Sequence, residues 1–147
     1  MKKVFGFSLI EALVVIGIMV LMALMAIPSL RGRQQSTELK GNARNLLNDL
    51  RLAQQLTIGE QVTYLVKIYA TAPQQYQLIK RDDGDTVIKT HTLSTGITWQ
   101  STGGFTDNEI IFTTTGAVAQ AGIVILQNVG GQTISLDIKP SGYVHLY

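Results

Sequence analysis

The sequence predicts an α+β fold: one long N-terminal helix followed by a β-rich, antiparallel domain. Three observations carry that expectation. Residues 7–30 are apolar, with Glu11 the one charge among them. Residues 34–60 keep an apolar stripe at spacings of three and four, which is helical periodicity. Beyond residue 60 the pattern changes to period two with many β-branched residues, bounded by turn chemistry.

The run from Ala12 to Leu30 carries no charge. As a helix these roughly 19 residues extend about 28 Å, close to the hydrocarbon thickness of a bilayer. In the next segment Leu39, Ala43, Leu46, Leu47, Leu50, Ala53 and Thr57 fall on one stripe. Glu38, Lys40, Asn42, Asp49, Arg51 and Gln55 are assigned to the opposite, solvated face. The two segments read as one long, bent helix with a transmembrane half and an amphipathic half. Gly59 is the expected stop.

Eight short strands are expected after it: 62–70, 75–81, 86–92, 97–100, 109–113, 122–128, 132–138 and 143–146. Asp82-Asp83-Gly84-Asp85, Ser101-Thr102-Gly103-Gly104, Val129-Gly130-Gly131 and Pro140-Ser141-Gly142 supply turns between them. The amphipathic stripe is expected to cover one face of the sheet. Four segments follow: a leader, 1–6; a membrane and core helix, 7–30; an amphipathic helix, 31–60; and a β-rich domain, 61–147.

Composition excludes several function classes. The chain of 147 residues has no Cys, so thiolate chemistry and disulfides are ruled out. Its net charge of +2 comes from Lys2 and Lys3; without them ten basic side chains face ten acidic ones. The sequence pI near 9.0 therefore reports the leader and is weak ground for nucleic-acid binding. Lys2 and Lys3 favour a cytoplasmic N-terminus, partly offset by Arg31 and Arg33.

Glu11 is the anomaly. A carboxylate in an apolar span costs about 2.5–3.5 kcal/mol on insertion scales and needs a partner. A cut after Gly6 would create an amine on Phe7 and make Glu11 the fifth residue of the new chain. That amine and Glu11 of a neighbouring subunit could pair in an apolar core, each offsetting the desolvation of the other. An ordinary secretory signal fits poorly, because Met22-Ala23-Leu24-Met25-Ala26 lacks the small-residue spacing of such a cut site.

The stretch Gly6-Phe7-Ser8-Leu9-Ile10-Glu11, with its basic leader and apolar sequel, resembles the prepilin peptidase site of type IV pilins and type II secretion pseudopilins. The resemblance implies a pilin-like fold, cleavage after Gly6 and N-methylation of Phe7. It also implies filament assembly through Phe7 and Glu11, with Pro28 where such pilins often carry a helix-loosening proline. The implied partners are other pilin or pseudopilin subunits, the prepilin peptidase, an inner-membrane assembly platform, and membrane lipid before assembly. The implied place is the bacterial inner membrane, single-pass, with the C-terminal domain outside the cytoplasm.

Ile110-Ile111-Phe112-Thr113-Thr114-Thr115-Gly116, the strand 122–126, and Ile134–Ile138 leading into Gly142-Tyr143-Val144 resemble the GspH/FimT group of minor pseudopilins and minor pilins. Many members carry a basic residue after the glycines corresponding to Gly116 and Gly142; Ala117 and Tyr143 stand there in this chain. The alternative function, a competence-type minor pilin that binds DNA for uptake, is disfavoured by that departure and by Lys139 as the one cationic side chain of the last ten residues.

No constellation suggests catalysis, a metal or a cofactor. Asp82, Asp83 and Asp85 could hold a hard cation, but they also make good hairpin chemistry, and the solvated turn is the expectation. His91 and His145 are expected in strand or surface roles, and Trp99 in the core or at a sheet edge. Tyr143, His145 and Tyr147 share one side of a strand, with half-buried packing expected over an exposed contact edge. The basic residues Arg31, Arg33, Lys40, Arg44 and Arg51 are expected on a solvated helix face.

Overall fold

The computed structural model describes residues 7–147, with the side chains of residues 25–31 outside the described set. One helix, α1, spans Leu9–Glu60. The strands are β1 Thr63–Tyr69, β2 Gln75–Arg81, β3 Asp85–Thr92, β4 Ile97–Thr102, β5 Glu109–Ile111, β6 Gly122–Asn128, β7 Thr133–Ile138 and β8 Val144–Leu146. A 3-10 turn at Thr106–Asn108 precedes β5. The chain divides into two compact units, with the boundary between Gln34 and Gln35.

In the second unit α1 ends where side chains take over its last backbone groups. Gln61 adopts a left-handed φ of 56°, and its side-chain amide donates to the Ile58 carbonyl at 2.7 Å. The helix therefore runs one residue past Gly59, and a glutamine makes the left-handed step usually given to glycine. Thr57 Oγ1 donates to the Ala53 carbonyl and accepts from the Tyr64 amide. That pair of bonds launches β1 directly from the last turn.

The strands form two antiparallel sheets of four, in the orders β3-β2-β1-β5 and β4-β6-β7-β8. Leu39, Ala43, Leu46, Leu50 and Ala53 of α1 share one buried core with both sheets: Tyr64, Val66, Tyr76, Leu78 and Ile110 from the first, and Val124, Leu126, Leu136 and Ile138 from the second. The inward residues alternate along each strand, as a half-buried sheet requires.

Two expectations about the helix face are corrected. Asn42 and Asp49 are buried, each 3% exposed, whereas their polarity had placed them on the solvated face. They sit on the buried arc of the helix because the first sheet supplies polar partners for them there. The single sheet face expected beneath the stripe is instead a pair of sheets closing over it.

Candidate filament-assembly segment and subunit surfaces

Phe7 lies just ahead of α1 and is 74% exposed. The Ser8 carbonyl accepts from the amides of Glu11 and Ala12, both at 3.1 Å, and so closes the first turn. Glu11 lies in that turn, where an acidic side chain complements the positive end of the helix dipole. It is exposed, one turn beyond Phe7. Gly6 falls outside the described residues, as does the side chain of Pro28, whose backbone belongs to α1.

From Leu9 to Leu24 the apolar side chains are exposed on every side of the helix. Ile10, Leu13, Ile16, Met19, Leu21, Met22 and Leu24 are each more than half exposed. A helix that is apolar all round has no stable place in water; it needs lipid or other apolar helices around it. Among the described residues no helix is long and apolar enough to cross a membrane. The described run from Leu9 is about 24 Å long, and the expected span of 7–30 depends on the residues after it.

In the second unit, polar groups fasten the first sheet to α1. Tyr76 Oη donates to Asp49 Oδ2 at 2.7 Å, and Lys89 Nζ to Asp49 Oδ1 at 2.7 Å. Burial, then the Asp49 carboxylate, push the Tyr76 phenol well above its ordinary range, so it stays a donor. Asn42 donates to Ser94 Oγ at 3.0 Å and meets His91 Nε2 at 3.3 Å. Burial pulls the His91 imidazole below its usual value. Its ring lies 5.1 Å from that of Tyr76, and the residue belongs to strand β3.

On the outer face of the same sheet Glu109 accepts from Arg81 Nη1 at 2.9 Å and from Lys67 Nζ at 2.8 Å. Arg81, then Lys67, hold the Glu109 carboxyl below its usual range against burial. By register Arg81 is opposite Thr63, and Glu109 opposite Lys67. The ion pair thus passes diagonally over Leu65, which is 0% exposed although it faces away from the main core.

Asp82-Asp83-Gly84 makes the turn between β2 and β3, and Arg81 engages Asp85 at 2.9 Å. Among the described residues no group of three or more His, Cys, Asp or Glu side chains could hold a metal ion. His91 lies in the first sheet and His145 in the second. Trp99 is partly buried on the edge strand β4, edge-on to Tyr76 at 6.4 Å. Tyr143 and Tyr147 are corrected from packing residues to surface ones, 56% and 69% exposed, with His145 between them 4.3 Å from Tyr147. They flank the edge strand β8, one at each end, with their side chains open to solvent.

The sequence marked Gly142 as a turn residue and Gly116 only through resemblance; the structure shows what they do. Both have left-handed φ, 84° and 80°. A Cβ on Gly142 would collide with the Gly116 carbonyl oxygen and with Gln54 Nε2. That same Gln54 amide donates to the Gly116 carbonyl at 2.7 Å. Two loops and the end of α1 meet here with no room for a side chain.

An apolar helix with one acid in its first turn, and a helix-on-sheet unit after it in the chain, is the layout of a pilin-like α+β fold. The chain matches the family described as Type II transport protein GspH over residues 42–142, and it belongs to that family. Two structures of the minor pseudopilin EpsH from the Type 2 Secretion System of Vibrio cholerae share its fold. Both are 16% identical; they give TM-scores of 0.63 and 0.61, covering 75% of this chain and 96% and 93% of those chains. The type IV minor pilin FimU of Pseudomonas aeruginosa gives a TM-score of 0.59 at 14% identity, covering 74% of this chain and 92% of that one. No curated protein matches the chain in sequence. Family membership and the shared fold together support a minor pilin or pseudopilin subunit role for the chain.

Proposed function

We propose that the chain is made as a precursor, cut between Gly6 and Phe7 by prepilin peptidase, N-methylated on Phe7, and assembled through its N-terminal helix into a type II secretion or type IV pilus filament. The observation that carries this reading is the all-round apolar helix with Glu11 one turn beyond Phe7. The new amine of one subunit and Glu11 of the next neutralise each other in the apolar core, where either alone would be costly. Before assembly residues 7–30 sit in lipid, passing through the inner-membrane platform on their way into the filament. Pro28 removes one helical hydrogen bond and eases bending there.

Mass spectrometry of the membrane-extracted protein tests the reading. The expected N-terminus is methylated Phe7 in cells with active prepilin peptidase, and intact Met1 or Lys2 in cells without it. Any other N-terminus in peptidase-positive cells overturns it. DNA capture gains no support from the C-terminal region, where Lys139 is paired with Asp137 at 2.9 Å.

A further inference from the structure

Five residue steps separate Leu30, the last residue of the apolar run, from Gln35, the first of the second unit. α1 is helical across them, so they reach about 8 Å. The headgroup layer on each side of a bilayer is about 5–8 Å deep. With residues 7–30 in lipid, as proposed above, the Gln35 end of the second unit therefore stays at the bilayer surface. Arg31 and Arg33, the first charges after the run, fall in the layer between.

One turn stands beside Gln35. A Cβ built on Gly130 would lie 3.4 Å from Gln35 Oε1, which puts the β6–β7 turn, Val129-Gly130-Gly131, at that end of the unit. Buried Asn128 fixes the turn: its Oδ1 accepts from the Gln132 amide at 2.9 Å, and its Nδ2 donates to Gln132 Oε1 at 2.9 Å. The Val129 amide donates to the Gly96 carbonyl at 3.0 Å, so the β3–β4 turn joins the same tip. Residues 93–96 and 128–133 carry no charge, and Val129 is 70% exposed. The acidic turn Asp82-Asp83-Gly84 is elsewhere. It follows Lys80, which is bound at 2.9 Å to Glu60, the last residue of α1 and about 38 Å along the helix from Gln35. Charge is thus kept from the end that meets lipid, and an apolar side chain is left outside the core there.

We infer that the Val129-Gly130-Gly131 turn rests in the headgroup layer of the bilayer while the subunit waits in the membrane. Val129 leaves water for the apolar side of that layer, and the two glycines let the turn backbone approach lipid closely. The apolar helix supplies the anchoring. The turn steadies the second unit at the surface, where the chain already holds it at high effective concentration. The inference rests on the membrane residence proposed above.

The absence of native Cys makes the test clean. Full-length chain carrying Val129→Cys, labelled with a small environment-sensitive fluorophore, is reconstituted at low protein density into phosphatidylethanolamine–phosphatidylglycerol vesicles. Nitroxide on the lipid headgroup should quench this label severalfold more than the same label on Gly84→Cys in the acidic turn. A label on Met19→Cys, with nitroxide on the acyl chain, reports residence of the apolar segment in the membrane. To separate the turn from its label, a probe on Thr133→Cys is compared with and without Val129→Asp. The added charge should at least halve its quenching and leave that of the Met19→Cys label unchanged. Equal quenching at positions 129 and 84, or indifference to Val129→Asp, overturns the contact. An emission blue shift at position 129 without headgroup quenching assigns the turn to a protein contact and overturns it too. Quenching lost at position 129 but kept at position 19 overturns this contact alone, and loss at both overturns the membrane residence as well.

Discussion

Asp49 shows how much depends on where one carboxylate points. It is buried with both oxygens occupied, one by the Tyr76 hydroxyl and one by the Lys89 ammonium. Tyr76→Phe removes a donor and leaves that oxygen buried without it, a loss of about 1–3 kcal/mol expected in chemical denaturation of the full chain. Lys89→Met should cost more than its half-exposed position suggests, because it strips the charge partner from a buried acid. Glu109 supplies a pH signature. Its folded-state carboxyl is depressed by Arg81 and Lys67, so its contribution is complete above the ordinary carboxylate pKa and is lost as pH falls toward the depressed value. Thermal melts from pH 7 down to pH 3 should fall in the acid limb, and Glu109→Gln should flatten that fall while lowering the neutral-pH melting temperature.

At the scale of elements, much was legible because local pattern and final burial agree. β2 and β6 begin and end where alternation and turn residues placed them, and Leu39, Ala43, Leu46, Leu50 and Ala53 are the buried stripe of α1. Two things were not legible. Periodicity marks which strand face is buried but not which strands pair, so the split into two four-stranded sheets was hidden in long-range contacts. Residue type also misled at Asn42 and Asp49, whose partners Ser94 and Lys89 lie 52 and 40 residues away. The crowded glycine junction gives a graded test. Gly131 has φ 78° with nothing within 4 Å of a built Cβ, so Gly131→Ala should cost only the left-handed penalty, about 1–2 kcal/mol. Gly142→Ala adds a clash with the Gly116 carbonyl and should cost at least about 1 kcal/mol more by denaturant titration. Equal costs would mean the junction yields freely.

For the whole molecule, folding and assembly rest on different residues, and that separation can be measured. Among the described residues the buried core draws on Leu39 through Val144, all within the second unit. Leu50→Ala removes a fully buried side chain from the shared core and should lower stability by about 2–5 kcal/mol, reducing filaments only as far as folded subunit is lost. Glu11→Ala touches no core contact and should leave the cooperative melt within about 0.5 kcal/mol of the parent. It should nevertheless reduce incorporation into sheared filaments severalfold, because the Phe7 amine of each neighbour would be left unpaired in the apolar core. Cleavage after Gly6 is read separately by mass spectrometry, so a Glu11→Ala chain that is cut, folded and absent from filaments places the defect at docking. A Glu11→Ala chain that assembles as well as the parent would show that the acid is dispensable, and would remove the amine–carboxylate pair as the reason for a charge inside this helix.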